Sequence, residues 1–382
     1  MKPILTIASF FLLPLFAIGQ PPDTNDHSVR EKITLFSKIL HEDRPLYIQV
    51  PKADSAHPDD KFPVLYLLDG ESHFDMLAQY CNYLSRWDVN AIPQMIVVGI
   101  ANTNRVRDLT PSHSIFDYRG RPDTNANSRL LPSGGNDALF RFIREELMPY
   151  VETHYKTQPF KIFAGHSFGG ITTINCLLTH PELFNAYISV SPSFWWDREY
   201  LLQLADQRLK KIDSQNKILF YSDASEGLDD SSTFHINLLR FDSLLKTRNL
   251  RGLDHQYRYY PAEIHMTEPV IAYYEALRYI YKDWLVPPQD PKKVNSILLM
   301  EHYNRLSRRY GYTILPNEGN IDDWALWLLK DPETIKNGIS LLEMNVTNYP
   351  SSAHALTSLG KAYELKGDKQ RADECYRKAA HL

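Results

Sequence analysis

The sequence predicts an α/β fold, with a mostly parallel sheet flanked by helices, followed by a small all-α region at the C-terminus. Three observations predict it. Short apolar runs typical of buried strands alternate with longer segments of helical periodicity through most of the chain. Prolines and charges then interrupt this pattern at VPPQDPKK, Val286 to Lys293. Beyond that break, the apolar residues recur only at helical spacing.

Length and composition fit one large domain and a smaller one. The chain has 382 residues, 43% hydrophobic and 12% aromatic, and single cores stop growing at about 250–300 residues. We therefore expect an export signal at 1–19, an α/β domain at 20–286, a linker at 287–293 and a helical region at 294–382. The net charge of -4 gives no basic face, so nucleic acid is not an expected partner.

The first residues are typical of an export signal. Lys2 precedes the apolar stretch ILTIASFFLLPLFAI, and the small residues Ala17 and Gly19 stand where cleavage would occur. The mature chain would then begin near Gln20, in the periplasm or outside the cell, with no membrane span after cleavage. An uncleaved anchor is the alternative. The three cysteines are far apart in the chain, which predicts no disulfide framework.

The strands and helices follow from their apolar periods. KITLFSKIL and RPLYIQVP predict two antiparallel strands with a turn near His41 to Asp43. The further strands are expected in FPVLYLLDG, QMIVVGIAN, FKIFAGHS, AYISVS, KILFYS and HQYRYYPA. Between QMIVVGIAN and FKIFAGHS, the segment GGNDALFRFIREELMPYVETHY predicts a helix, with Asn136 or Asp137 as its N-cap.

The C-terminal region contains a weak internal repeat. Gly338 and Leu342 recur as Ala372 and Tyr376, each 34 residues later, and Pro350 falls between helical segments. A period of 34 residues is that of tetratricopeptide repeats. Two repeats are too few for a long binding surface, so we expect these helices to pack on the α/β domain, with a protein contact as the alternative.

The segment FAGHSFGG, Phe163 to Gly170, contains the pattern G-x-S-x-G. It follows a predicted strand and precedes the helical segment ITTINCLLTH, the context of a nucleophile elbow. There Gly165 and Gly169 leave room for a tight turn that holds the Ser167 hydroxyl at the top of the sheet. The same pattern also occurs in ordinary glycine-rich turns.

An elbow serine needs a histidine base and an acid that orients it. His265 lies in the loop between HQYRYYPA and the next predicted helix, at the expected edge of the sheet. The other histidines fit the role of base less well. The acid is expected in YSDASEGLDD: Glu226 is preferred because it lies beyond the strand and next to Gly227, and Asp223 is the alternative. A solvated acidic loop explains the other carboxylates equally well.

The remaining candidates surround the reaction centre. The backbone N–H groups of Phe168 and Glu71 are the expected oxyanion donors. Trp195 and Trp196 offer aromatic area to a substrate ring, although buried packing is an equal alternative. Arg105 could bind an acidic or catechol group, and a structural ion pair is the alternative.

Several stretches together resemble the putative esterase family of α/β-hydrolases. They are LYLLDGESHF, IVVGIANTNRVRDLTP, GGNDALFRFIREELMPYVETHY, AGHSFGG, PELFNAYISVSPSFWWD and IHMT, and they span most of Pro45 to Leu285. The family includes esterase D, enterochelin-type siderophore esterases, carbohydrate feruloyl and acetyl esterases, and mycolyltransferases. The resemblance implies an α/β-hydrolase fold with Ser167 as nucleophile, His265 as base and Glu226 as acid.

The sequence therefore predicts an exported serine esterase that needs no cofactor or metal and cleaves carboxylic esters through an acyl-enzyme. Its substrate is expected to be a small-molecule siderophore-type ester or an acylated carbohydrate. One alternative is an inert binding protein that uses its C-terminal helices. Another is an acyltransferase.

Overall fold

A computed structural model describes residues 28–52, 58–211, 216–225, 233–248, 250–286 and 293–382. Within them, eight strands form one sheet: β1 (Ser28–Ser37), β2 (Glu42–Pro51), β3 (Phe62–Leu67), β4 (Ile96–Ile100), β5 (Thr157–His166), β6 (Ala186–Val190), β7 (Lys217–Ala224) and β8 (Leu253–Tyr260). Their spatial order is β1-β2-β4-β3-β5-β6-β7-β8. β2 is antiparallel to both β1 and β4, whereas all later neighbours are parallel. The predicted α/β-hydrolase sheet is confirmed.

Helices cover both faces of this sheet. They are α1 (Gly70–Leu84), α2 (Arg105–Asp108), α3 (Asn136–Phe142), α4 (Met148–His154), α5 (Phe168–Thr179), α6 (Trp196–Arg208), α7 (Thr233–Arg248) and α8 (Glu268–Ile280). Alternate residues of the buried strands enter two different cores. Tyr66 packs in the layer that contains Phe140 of α3, and its neighbour Leu67 packs in the layer that contains Leu77 of α1. This alternation explains why the central strands are apolar throughout.

The helix predicted between β4 and β5 is present, but its N-cap differs from the prediction. A π-helical turn, Ile143–Leu147, joins α3 to α4, and Gly135 occupies the N-cap position. Asn136 is instead the first residue of α3 and is 1% exposed. Its Nδ2 donates to the carbonyl oxygen of Asp108 at 2.6 Å, and its Oδ1 accepts from Asn175 at 2.9 Å. The side chain thus joins three elements of the core.

The strand that precedes the expected acid loop is longer than predicted. β7 continues to Ala224, so Asp223 lies inside the strand rather than in the loop. It is paired with Tyr259 in the register of β7 with β8. The extension buries Asp223, which is 2% exposed.

Five helices follow the sheet: α9 (Ser296–Tyr310), α10 (Glu318–Leu328), α11 (Ile335–Asn348), α12 (Ala353–Leu365) and α13 (Lys369–Ala379). α9 packs on the α/β domain, as expected of this region. The Tyr310 hydroxyl donates to the carbonyl oxygen of Ile280 at 2.9 Å, and Arg309 pairs with Asp254 at 2.7 Å. Leu306 and Tyr310 also belong to the core layer on the α1 face of the sheet.

Helices α10 to α13 have a core of their own, which includes Leu328, Leu342 and Tyr363. A Cβ at Gly338 of α11 would lie 2.9 Å from a carbonyl oxygen of α10, and one at Gly360 of α12 would lie 2.6 Å from the Tyr376 ring of α13. Both glycines therefore permit close helix packing. The tetratricopeptide assignment itself stays a prediction, as does a protein contact through these helices.

Candidate active site

The G-x-S-x-G segment forms a tight turn between β5 and α5. Ser167 has φ 61° and ψ -112°, a backbone conformation that residues other than glycine rarely adopt. A Cβ at Gly165 would lie 2.4 Å from the carbonyl carbon of Gly169, so only glycine fits there. The strand, turn and helix expected of a nucleophile elbow are thus all present.

Ser167 and His265 line the same cavity, whose volume is about 530 Å³. The other described residues that line it are Arg105, Val106, Asp117, Tyr118, Asp123, Arg129, Leu130, Phe168, Ser193, Trp195 and Phe234. The Oγ of Ser167 lies 3.1 Å from the Oγ of Ser193. The structure therefore brings the predicted nucleophile and the predicted base to one cavity.

His265 lies in the loop between β8 and α8, as the sequence predicts. Its ring centre is 4.5 Å from that of His166 and 6.1 Å from that of Phe234. The Nε2 of His166 lies 2.8 Å from the backbone carbonyl oxygen of His265. The elbow and the loop of the candidate base are therefore in direct contact.

Only one of the two candidate acids lies within the described residues. Glu226 lies outside the described residues, so its role stays a prediction. Asp223 accepts a hydrogen bond from the Tyr257 hydroxyl at 2.7 Å and is bonded to Nδ1 of His235 at 2.6 Å. Each oxygen of Asp223 thus has a hydrogen-bond partner, and the choice between Glu226 and Asp223 as the acid stays a prediction.

The two expected oxyanion donors lie in the first turns of two helices, where backbone N–H groups lack partners within the helix. Phe168 is the first residue of α5, and Glu71 is the second residue of α1. The carboxylate of Glu71 accepts from Nδ2 of Asn102 at 2.6 Å. The start of α1 adjoins the elbow, because a Cβ at Gly169 would lie 3.3 Å from the Asp69 carboxylate.

Arg105 lines the cavity and also forms an ion pair. Its Nε and Nη2 donate to the two oxygens of Asp69 at 2.6 and 2.9 Å. The guanidinium lies 5.3 Å from the ring centre of Phe168. The structural ion pair named as the alternative for Arg105 is therefore present, and the guanidinium already has a carboxylate partner.

The two neighbouring tryptophans have different surroundings. Trp195 lines the cavity, and its ring centre is 6.3 Å from that of Tyr118 and 6.0 Å from that of Phe234. Trp196 is only 1% exposed, and its Nε1 donates to the carbonyl oxygen of Ser112 at 3.1 Å. The expectation that Trp196 offers surface to a substrate is therefore wrong, because packing and this hydrogen bond bury it.

Sequence reasoning missed the wall formed by residues 109–135, which connect α2 to α3. This segment contributes Asp117, Tyr118, Asp123, Arg129 and Leu130 to the cavity. A long connection with little regular structure is a common sign of a functional loop, and its length in the sequence was the available signal.

Arg129 is the second arginine of the cavity. It is exposed, and it forms no ion pair with any residue in the described part of the chain. This contrasts with Arg105, whose guanidinium is bound to Asp69. The Arg129 guanidinium interacts electrostatically with the Asp123 carboxylate of the same cavity. Without a direct ion pair, it remains accessible to an anionic group of a ligand.

Comparison with known proteins identifies the family. The profile described as putative esterase matches residues 37–267, which is more than half of the 382 residues. The chain belongs to the putative esterase family. The predicted resemblance is thereby confirmed, and with it the predicted class of protein.

Curated relatives of this member of the putative esterase family include two named for siderophores. The chain is 31% identical to the ferri-bacillibactin esterase BesA of Bacillus subtilis over 46% of this chain and 63% of that protein. It is 34% identical to the siderophore triacetylfusarinine C esterase of Aspergillus fumigatus over 44% of this chain and 58% of that protein. The matches thus span less than two thirds of the relatives' own lengths.

Solved structures extend the likeness into the C-terminal helices. An IroE-like serine hydrolase from Shewanella oneidensis is 30% identical, with a TM-score of 0.74, over 84% of this chain and all of that one. Because residues 1–286 are about three quarters of the 382 residues, this likeness includes part of the helical region. An uncharacterised protein from Capnocytophaga ochracea, 17% identical with a TM-score of 0.65, shares the fold over 92% of this chain.

No helix in the described part of the chain is long and apolar enough to cross a membrane. The predicted export signal lies outside the described residues and stays a prediction.

Proposed function

We propose that the protein is an exported serine esterase that hydrolyses carboxylic esters through an acyl-enzyme. The observation that carries the proposal is the shared cavity of Ser167, on its strained turn, and His265. Membership of the putative esterase family supports the same reaction.

In the proposed reaction, Oγ of Ser167 attacks the carbonyl carbon of the ester, and the imidazole of His265 takes the hydroxyl proton. The carbonyl oxygen becomes an oxyanion that accepts hydrogen bonds from the N–H groups of Phe168 and Glu71. One such donor contributes roughly 3 kcal/mol of transition-state stabilisation. Glu226 orients His265 and stabilises the imidazolium.

The intermediate then collapses, and the bond between the carbonyl carbon and the alcohol oxygen breaks. His265 returns its proton to the departing alcohol, which leaves an acyl group on Ser167. A water molecule next attacks the acyl carbonyl while His265 takes its proton. Collapse of the second intermediate gives the carboxylic acid and restores the serine hydroxyl.

We further propose a siderophore-type ester as the substrate. The cavity of about 530 Å³ has the aromatic side chains Tyr118, Trp195 and Phe234 and the exposed Arg129. Aromatic faces with a cation suit an aromatic, negatively charged iron-chelating group. The names of the siderophore-esterase relatives support this class.

A panel of purified substrates tests the proposal. Ferric-siderophore, feruloyl, acetyl-xylan and short acyl esters are incubated with the protein, and the released acids are quantified by liquid chromatography with mass spectrometry. We expect the highest kcat/KM with a ferric-siderophore ester. A higher value with feruloyl or acetyl-xylan esters would assign the enzyme to acylated carbohydrates.

Labelling with a fluorophosphonate separates the enzyme from the inert binding protein. The folded wild-type chain should be labelled, and Ser167→Ala should not be. Absence of labelling in the folded protein would favour the inert alternative. Transfer of the acyl group to an added sugar in preference to water would identify an acyltransferase instead.

A further inference from the structure

His166, the residue before the proposed nucleophile, is buried where three parts of the site meet. Its side chain is 3% exposed. Its ring centre is 4.5 Å from that of His265 and 5.4 Å from that of His73 of α1. His73 in turn contacts the Tyr273 ring of α8 at 5.7 Å, and Nη2 of Arg105 lies 3.4 Å from the His166 carbonyl oxygen.

The hydrogen bond of this imidazole defines its protonated nitrogen. Nε2 of His166 lies 2.8 Å from the carbonyl oxygen of His265, and a carbonyl oxygen only accepts. Nε2 must therefore carry a proton and donate it. Burial lowers the pKa of His166 to about 2, and the nearby His265, His73 and Arg105 lower it further. The ring is thus a neutral donor at any pH where an esterase works.

The loop that carries His265 has little apolar support from its nearest neighbours. Ile264 and Met266, on either side of His265, are 58% and 70% exposed. The backbone bond from Thr267 N to the Ile264 carbonyl oxygen at 2.9 Å is local, and Ser225 N, just after β7, donates to the Glu263 carbonyl oxygen at 3.0 Å. The hydrogen bond from His166 reaches the backbone of residue 265 itself from the elbow.

We propose that His166 is a positioning residue, whose neutral imidazole holds the backbone of His265 so that the base meets the Ser167 hydroxyl. This inference rests on the proposed function. A neutral donor suits the place because His265 becomes a cation when it takes the serine proton. A cationic anchor at the same distance would repel that imidazolium and disfavour the transition state.

Two amide substitutions at this position form a matched pair. In His166→Gln the amide nitrogen reaches about as far as Nε2, whereas in His166→Asn it is too short. We expect His166→Gln to retain most of the wild-type kcat. We expect His166→Asn to lower kcat by about 10- to 100-fold with KM little changed, because the base is displaced while the substrate contacts remain.

The pH dependence of kcat/KM distinguishes positioning from mere support of the fold. The midpoint of the acidic limb should move in His166→Asn and stay in place in His166→Gln. A purely structural role would lower the unfolding temperature of His166→Asn and leave the limb where it is. The groups that face His166 are His73 of α1, Arg105 of α2 and His265, and all of them remain in both variants.

Activity controls separate this inference from the proposed function. If wild-type hydrolysis is lost in Ser167→Ala but His166→Asn is as active as wild type, the positioning role is wrong and the esterase stands. If wild-type hydrolysis does not depend on Ser167, both are wrong.

Nuclear magnetic resonance of ¹⁵N-labelled histidine tests the tautomer without catalysis. We expect His166 to show a protonated Nε2 and a bare Nδ1, with no titration at neutral or mildly acidic pH. A proton on Nδ1 alone, or a titration in that range, would overturn the inference even if the substitutions behave as expected.

Discussion

The two sides of the candidate cavity are built in different ways. On one side, Ser167 is held between β5 and α5, and the neighbouring Arg105 is bound to Asp69, whose side chain is only 5% exposed. On the other side, residues 109–135 form a long connection that presents Arg129 without an ion pair among the described residues. The first side belongs to the packed sheet and its helices, and the second is a long loop.

This difference separates the chemistry from its selectivity. Groups that must meet within hydrogen-bond distance need a rigid support, and buried strands and helix starts provide one. We call the side that holds Ser167, Arg105 and Asp69 the frame, and residues 109–135 the loop. A loop can change its side chains without disturbing that frame. We therefore expect changes on the frame to reduce hydrolysis of every ester, and changes on the loop to affect some esters only.

The largest effect is expected from Ser167→Ala. Loss of the nucleophile should reduce kcat by about 10⁴-fold or more on every ester, while thermal unfolding stays close to that of wild type. Ser243→Ala, an exposed serine of α7, is the matched control and should remain active. Substantial activity in Ser167→Ala would remove the basis for placing the chemistry on this side of the cavity.

The next effect concerns the acid. Glu226→Gln should lower kcat by about 10³-fold, because the imidazolium loses its stabilising charge. Asp223→Asn should instead weaken the hydrogen bonds to His235 and Tyr257 and lower the free energy of unfolding by about 1–3 kcal/mol.

Activity of both variants is measured on a short nitrophenyl ester, and stability by thermal unfolding. If Glu226→Gln keeps near-normal activity while Asp223→Asn loses it, the acid is Asp223.

A smaller effect on activity, with a clear effect on stability, is expected from Arg105→Ala. The Asp69 carboxylate would remain buried without its bidentate partner, which should cost about 2 kcal/mol of unfolding free energy because the arginine is partly exposed. Since Asp69 precedes the helix that carries Glu71, kcat should also fall, about tenfold, on neutral and anionic esters alike. Equal stability of wild type and Arg105→Ala would show that Arg105 does not belong to the frame.

The frame was largely predictable from the sequence because its signals are local. The period of the strands, the glycines of the elbow and the order of Ser167 and His265 along the chain are all readable without the fold. Predictions that depended on neighbours distant in sequence were less successful. Asn136 is a core residue because Asp108 and Asn175 surround it, and no local pattern distinguishes that role from an N-cap.

Trp196 and Arg129 also have roles that depend on neighbours distant in sequence, which limits their prediction. Trp196 is packed in the core, and its Nε1 donates to the carbonyl oxygen of Ser112, which is 84 residues away in the sequence. Arg129 lines the cavity from the connection between α2 and α3, which contains no regular strand or helix. The conformation of such a loop depends on contacts that the sequence does not display, so its functional residues need the structure to be found.

The smallest and most selective effect is expected from Arg129→Ala. Because its guanidinium has no ion pair within the described residues, its removal should leave the unfolding temperature unchanged. It should raise KM about tenfold for an anionic ferric-siderophore ester, through loss of one charged contact, and leave KM for a neutral nitrophenyl ester as it was. Arg129→Lys keeps the charge without the planar fork and should fall between the two. Steady-state kinetics on both esters measure the ratio directly: an equal change on both would place Arg129 with Arg105 on the frame, and no change on either would remove the loop arginine from substrate recognition.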